Sequence, residues 1–117
     1  MDINERAAIY HLHAEFCKAL SDAKRLLIIS ELAKGELSVS ELIRRLGLQQ
    51  SNASKHLALL RDHGLVNARR EGTTIFYSLS DIRLYEAISL LRAVQSDQLE
   101  RRRKLTQIHT EYSTNLK

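Results

Sequence analysis

The chain has no proline and only one cysteine, Cys17. A single thiol excludes an intramolecular disulfide, which suits a reducing cytosol. No apolar run approaches the roughly 18 residues needed to span a bilayer. The N-terminal MDINERAA lacks the basic and apolar regions of a secretory signal. The expectation is a soluble, cytoplasmic protein. Catalytic patterns are missing too. No nucleophile–base pair, phosphate-binding loop or complete metal triad can be read, so no catalytic residue is assigned and an enzyme is not expected. Glycine is scarce, with Gly35, Gly47, Gly64 and Gly72 only. Each falls where a helix should end or a hairpin should turn.

What remains is an ordinary globular composition on a basic chain. The 117 residues carry 18 Lys and Arg against 14 Asp and Glu. That length fits one domain, 1–117, with a modest core of the kind often shared with a partner subunit. The basic excess favours a polyanionic partner, though weakly on its own.

Ile9, Leu12, Phe16 and Leu20 recur at three-to-four spacing, which places a first helix at about 4–20. Ser21 can cap a second helix burying Leu26, Ile29, Leu32 and Ala33 and ending at Gly35. Ser38-Val39-Ser40-Glu41 matches a capping box and opens a short third helix through Leu42, Ile43 and Leu46, closed by Gly47. A fourth runs from Gln50 to His63 and stops at Gly64. LVNARR and TIFYSL then read as two strands joined through Glu71-Gly72-Thr73. From Asp81 the pattern is helical again. Tyr85, Ile88, Leu91 and Leu99 share a side, with Ile82 and Val94 at its margins, and the stripe resumes at Leu105, Ile108 and Tyr112 after Arg101-Arg102-Arg103-Lys104.

The third and fourth helices carry the chemistry. The fourth puts Ala53, Leu57 and Leu60 on one stripe, so its amide, hydroxyl and cationic side chains face outward. Gln50, Ser51, Asn52 and Ser54 are suited to base edges in a major groove, and Lys55 and His56 to the sugar–phosphate backbone. A helix-turn-helix at 38–63 meets the requirements of a sharp turn, buried residues on both helices and a polar outer face. The hairpin at 65–79 adds Arg69, Arg70, Thr73 and Thr74 as a wing beside it. A polar face is often merely solvated, but here several such features occur in order on one short domain. The competing reading is a winged-helix protein-interaction module without a specific operator.

Residues 20–80, LSDAKRLLIISELAKGELSVSELIRRLGLQQSNASKHLALLRDHGLVNARREGTTIFYSLS, resemble the ArsR/SmtB family of winged-helix bacterial repressors. The resemblance implies a mainly α fold with a small β-hairpin, in which two strands separate the fourth and fifth helices. It implies a homodimer through helices 4–20 and 81–112, bound to an inverted-repeat operator and released by an inducer. The family's usual Pro is Ala23 here, and its usual serine cap is Gln49.

The family's metal ligands do not carry over. Its thiolate sensors have CVC where this chain has Ser38-Val39-Ser40, and hydroxyls are poor ligands for soft metals. Its other sensors use Asp and His on the terminal helix, where Asp81-Ile82-Arg83 offers Arg in place of His. What is left is His13 and Cys17, four apart on one helical face, with His109 as a distant third. Imidazole and thiolate suit zinc, copper or nickel. The commoner expectation is that Cys17 is a small buried residue and His13 a surface one. A redox role for Cys17 requires an exposed thiolate.

Overall fold

A computed structural model describes residues 1–115. Five helices and three short strands follow in the order α1 (Ile3–Leu20), α2 (Ala23–Leu32), β1 (Leu37–Ser38), α3 (Val39–Leu46), α4 (Gln50–Asp62), β2 (Val66–Glu71), β3 (Thr74–Leu79) and α5 (Arg83–Asn115). Residues 1–85 form one compact unit and those from Glu86 onward a second. Among the described residues no helix is long and apolar enough to cross a membrane.

The helix ends follow local chemistry. Asp22, not Ser21, caps α2: its Oδ1 accepts from Lys24 N at 2.9 Å and Arg25 N at 3.1 Å. Ser21 closes α1 instead, its Oγ donating to Lys18 O at 2.9 Å. The two residues between the helices thus divide the work, and the carboxylate takes the end where free N–H groups need an acceptor. Ser38 and Glu41 form the expected capping box, with Ser38 Oγ accepting from Glu41 N at 3.1 Å and Glu41 Oε1 from Ser38 N at 3.2 Å. Those bonds hold the Glu41 carboxyl below its ordinary range. Gly47 ends α3 in the left-handed conformation, φ 64°, which a side chain rarely adopts.

Gln49 stands at the N-cap of α4, but its side chain accepts no bond from the backbone N–H groups of the first turn. Gln49→Ser is therefore expected to supply the missing acceptor and raise stability by about 0.5–1 kcal/mol. A higher midpoint in thermal denaturation checks it.

The strands add one element that the sequence does not announce. The pair Leu37 and Ser38 lies antiparallel to β3, opposite Tyr77 and Phe76, so the sheet has three strands in the order β1-β3-β2 rather than a lone hairpin. β2 and β3 pair from Val66 opposite Leu79 to Glu71 opposite Thr74. Gly72 turns the hairpin at φ 64°, as first residue of a two-residue loop.

The core of the first unit collects Ile28, Ile29 and Leu32 from α2, Leu42 from α3, Ala53, Leu57 and Leu60 from α4, then Leu65, Val66 and Tyr77. Leu26, expected inside, is half-buried, and Ile28 takes the place. Ala53 has no exposed surface, and α3 and α4 pack against each other. A small residue at that crossing lets two helices approach closely. On α1, Ile9 and Leu12 remain exposed, as do Leu91, Val94, Leu99, Leu105, Ile108 and Tyr112 on α5.

Candidate nucleic-acid interface

Burying Ala53, Leu57 and Leu60 fixes the rotation of α4 about its axis and decides what its other faces show. Gln50, Ser51, Ser54 and Lys55 are exposed, while Asn52 and His56 are half-buried on the flank between. Asn52 Nδ2 donates to Gln49 Oε1 at 3.5 Å, a long bond that an incoming acceptor can replace. On the opposite flank, Gln50 and Ser54 share a groove of about 680 Å³ with Thr73, Thr74, Ser40 and Ile43. The start of α4 and the tip of the β2–β3 hairpin thus line one concavity, whose hydroxyl and amide groups stand beside Val39, Ile43 and Ile75. In the sequence Ser40 stands out only as part of the capping-box segment and of the missing metal motif. Nothing local marks it as groove-lining, since the hairpin that closes the groove is more than 30 residues away.

Two of the expected phosphate ligands are otherwise engaged. His56 turns toward α2, where Arg25 Nη1 lies 3.3 Å from its Nδ1 and Asp22 Oδ1 is 3.9 Å from its Nε2. Arg25 also donates to Ala19 O at 2.7 Å and to Lys18 O at 3.3 Å. That one guanidinium, absent from the sequence expectations, fastens the end of α1 to α4. His56 acts there as its acceptor, with the tautomer set by that bond.

Arg69 is the second departure. Its Nη2 and Nε bond the Glu36 carboxylate at 2.7 and 3.2 Å, its Nη1 bonds Glu71 at 2.8 Å, and its guanidinium sits 4.7 Å from the Phe76 ring centre. These bonds raise its pKa further and hold the Glu36 carboxyl below the usual range. Arg69 therefore braces the β2–β3 hairpin against the loop before β1.

A carboxylate with a depressed folded pKa contributes stability above its unfolded value of about 4.3, lost as pH falls through the folded value. Glu36→Gln is expected to remove that contribution. Urea unfolding should then show a smaller difference between neutral and acid stability than in the parent. An unchanged difference would show that the pair adds nothing.

Lys55 and Arg70 remain. Both are exposed, and neither has a hydrogen bond or ion pair among the described residues. Unpaired cations beside a hydroxyl- and amide-lined groove suit a phosphate backbone flanking base edges.

The ligand question is narrower. His13 Nε2 and Cys17 Sγ lie 3.6 Å apart. Cys17 is exposed rather than buried, because its position on α1 faces away from Ala19 and the core. No group of three or more His, Cys, Asp or Glu residues able to hold a metal ion occurs among the described residues. His13 and Cys17 are two ligands, short of a four-coordinate site.

This geometry has counterparts. A family model described as bacterial regulatory protein, arsR family, matches residues 22–68. The transcriptional activator HlyU of Vibrio cholerae is 50% identical over 74 residues, 63% of this chain and 68% of that protein. The chain belongs to the ArsR family. Members of this family are DNA-binding transcriptional regulators and not enzymes, and so is this regulator. A biofilm growth-associated repressor from Agrobacterium fabrum is 39% identical over 77 residues, 66% of each chain. The fold agrees as well. The structure of a homodimeric winged helix-turn-helix DNA-binding domain from Mycobacterium bovis superposes with TM-score 0.74 at 33% identity, covering 85% of this chain and 92% of that one.

Proposed function

We propose that the regulator is a cytoplasmic homodimeric repressor of an inverted-repeat operator. The groove that Gln50 and Ser54 share with Thr73 and Thr74, together with the exposed, unpaired Lys55 and Arg70, carries the reading. The α4 of each protomer enters a major groove, with Gln50, Ser51 and Ser54 at base edges and Asn52 reaching them by leaving Gln49. Lys55 and Arg70 grip phosphates on either side, and Thr73 and Thr74 bring the wing tip to the backbone. Arg25 and His56 set the angle of α4, and Arg69 that of the wing. The exposed apolar residues of α1 and α5 form the contact between protomers. An inducer releases the dimer from its site. It acts away from the segment of Ser38 and Ser40, because Ser38 is committed to the α3 cap and Ser40 to the groove.

Selection from a random duplex pool tests this. The expected result is enrichment of a palindrome whose half-site centres are about 10 base pairs, or a multiple of that, apart. Failure to enrich any inverted repeat would favour the protein-interaction module.

A further inference from the structure

We infer that the neutral imidazole of His56 positions α4 for reading by accepting a hydrogen bond from Arg25, and that its protonation in mild acid costs the regulator its preference for operator over other DNA. This rests on the DNA reading proposed above and adds a condition under which that reading fails.

Three helices meet at this ring. Arg25, in the first turn of α2, is fixed before it reaches His56. Its Nε donates to Ala19 O at 2.7 Å and its Nη2 to Lys18 O at 3.3 Å. These carbonyls end α1, where a cation is favoured. The remaining arm, Nη1, lies 3.3 Å from His56 Nδ1. A guanidinium can only donate. Nδ1 is therefore the bare nitrogen, and the ring is neutral with its proton on Nε2. Asp22 Oδ1 is 3.9 Å from Nε2, too long for a hydrogen bond. The His56 side chain is only 17% exposed, so these neighbours more than water decide its state.

The surrounding charges are few. From α2 come Arg25 at one ring nitrogen and Asp22 at the other, while Lys24 is exposed. The backbone N–H of Arg25, and after it that of Lys24, hold the Asp22 carboxyl below its ordinary range, so it stays an anion in mild acid. α1 meets the junction through carbonyls, because Lys18 Nζ turns to Glu15 at 3.4 Å. On α4 itself Lys55 is exposed and unpaired.

Protonation reverses the arrangement. A proton on Nδ1 removes the acceptor and leaves two cations 3.3 Å apart. Two carbonyls hold Arg25, so the imidazolium is the group that turns, and Asp22 is the carboxylate it turns toward. The ring belongs to α4, and the helix moves with it. Recognition needs its groups held to about 0.5 Å, and Gln50 and Ser54 ride on the same helix. The added charge favours every duplex alike. Operator binding therefore weakens while binding to unrelated DNA does not.

The test follows fluorescence anisotropy of the full chain on the palindrome enriched by selection and on a scrambled duplex of equal length. The pH runs from about 7.5 to 5.5, the range in which imidazole titrates. The operator-to-scrambled affinity ratio of the parent should fall at least tenfold, with scrambled affinity unchanged or tighter. In His56→Asn the ratio should be independent of pH, whatever its value. Its carboxamide oxygen, like Nδ1, is one bond from Cγ and accepts from Arg25 without titrating. His56→Leu should lower the ratio already at pH 7.5. The other four histidines stay in both variants. A parent ratio that ignores pH, or one that falls equally in His56→Asn, overturns the inference. So does an equal loss on both duplexes, which would mark acid unfolding. Nitrogen NMR of the unsubstituted chain should find His56 as the Nε2–H tautomer at pH 7.5, and the Nδ1–H tautomer would contradict the Arg25 bond. An operator ratio that collapses in acid only in the parent supports the inference, whereas a chain that enriches no palindrome at pH 7.5 removes the DNA reading and the inference with it.

Discussion

Leu57→Ala is expected to destabilise the protein by about 2–5 kcal/mol, measured as a lower urea midpoint at unchanged slope. Leu57 is 1% exposed, on the buried stripe of α4. α4 contacts α1, α2, α3 and β2. A cavity there cannot be filled by the motion of one neighbour alone, which puts the cost toward the upper part of the range. Against a typical total of 5–15 kcal/mol, such a loss leaves little margin. A loss below about 1 kcal/mol would mean that α4 is not held by this stripe, and the outward placement of Gln50, Ser54 and Lys55 would lose its cause.

The joint substitution of Lys55→Ala and Arg70→Ala should produce the second large effect, on binding rather than stability. Each phosphate contact contributes about 0.9 to the slope of log affinity against log salt. Two contacts in each of two protomers predict a slope shallower by about 3.6. Binding should weaken on every sequence, specific or not. Arg69→Ala should change the slope less, because its guanidinium already serves Glu36 and Glu71. Fluorescence anisotropy across a salt series separates the cases. Equal slopes for parent and double variant would remove both residues from the interface.

The parts legible in the sequence were those written in local signals. The capping box needs only Ser38 and Glu41, three apart. The α4 face follows from the spacing of Ala53, Leu57 and Leu60. The turns at Gly47 and Gly72 follow from the need for positive φ. What could not be read depends on distant pairs. β1 is two residues long, too short for any periodicity to register, and exists because β3 offers it an edge. The Arg25–His56 link joins residues 31 apart and the Arg69–Glu36 pair residues 33 apart. Both took away candidates, since a cationic or imidazole side chain looks the same in sequence whether paired or free. Cys17 fails the same way: free cysteine is commonly buried, but this one faces out because the core side of that turn belongs to Ala19.

Reading by α4 is tested most directly by repeating the duplex selection with Gln50→Ala. Gln50 is exposed at the start of the helix and lines the groove with the wing tip. Removing its amide should erase base preference at one position in each half-site, at symmetric places, and leave the other positions and the half-site spacing intact. A preference unchanged at every position would contradict the assignment of this face to the major groove.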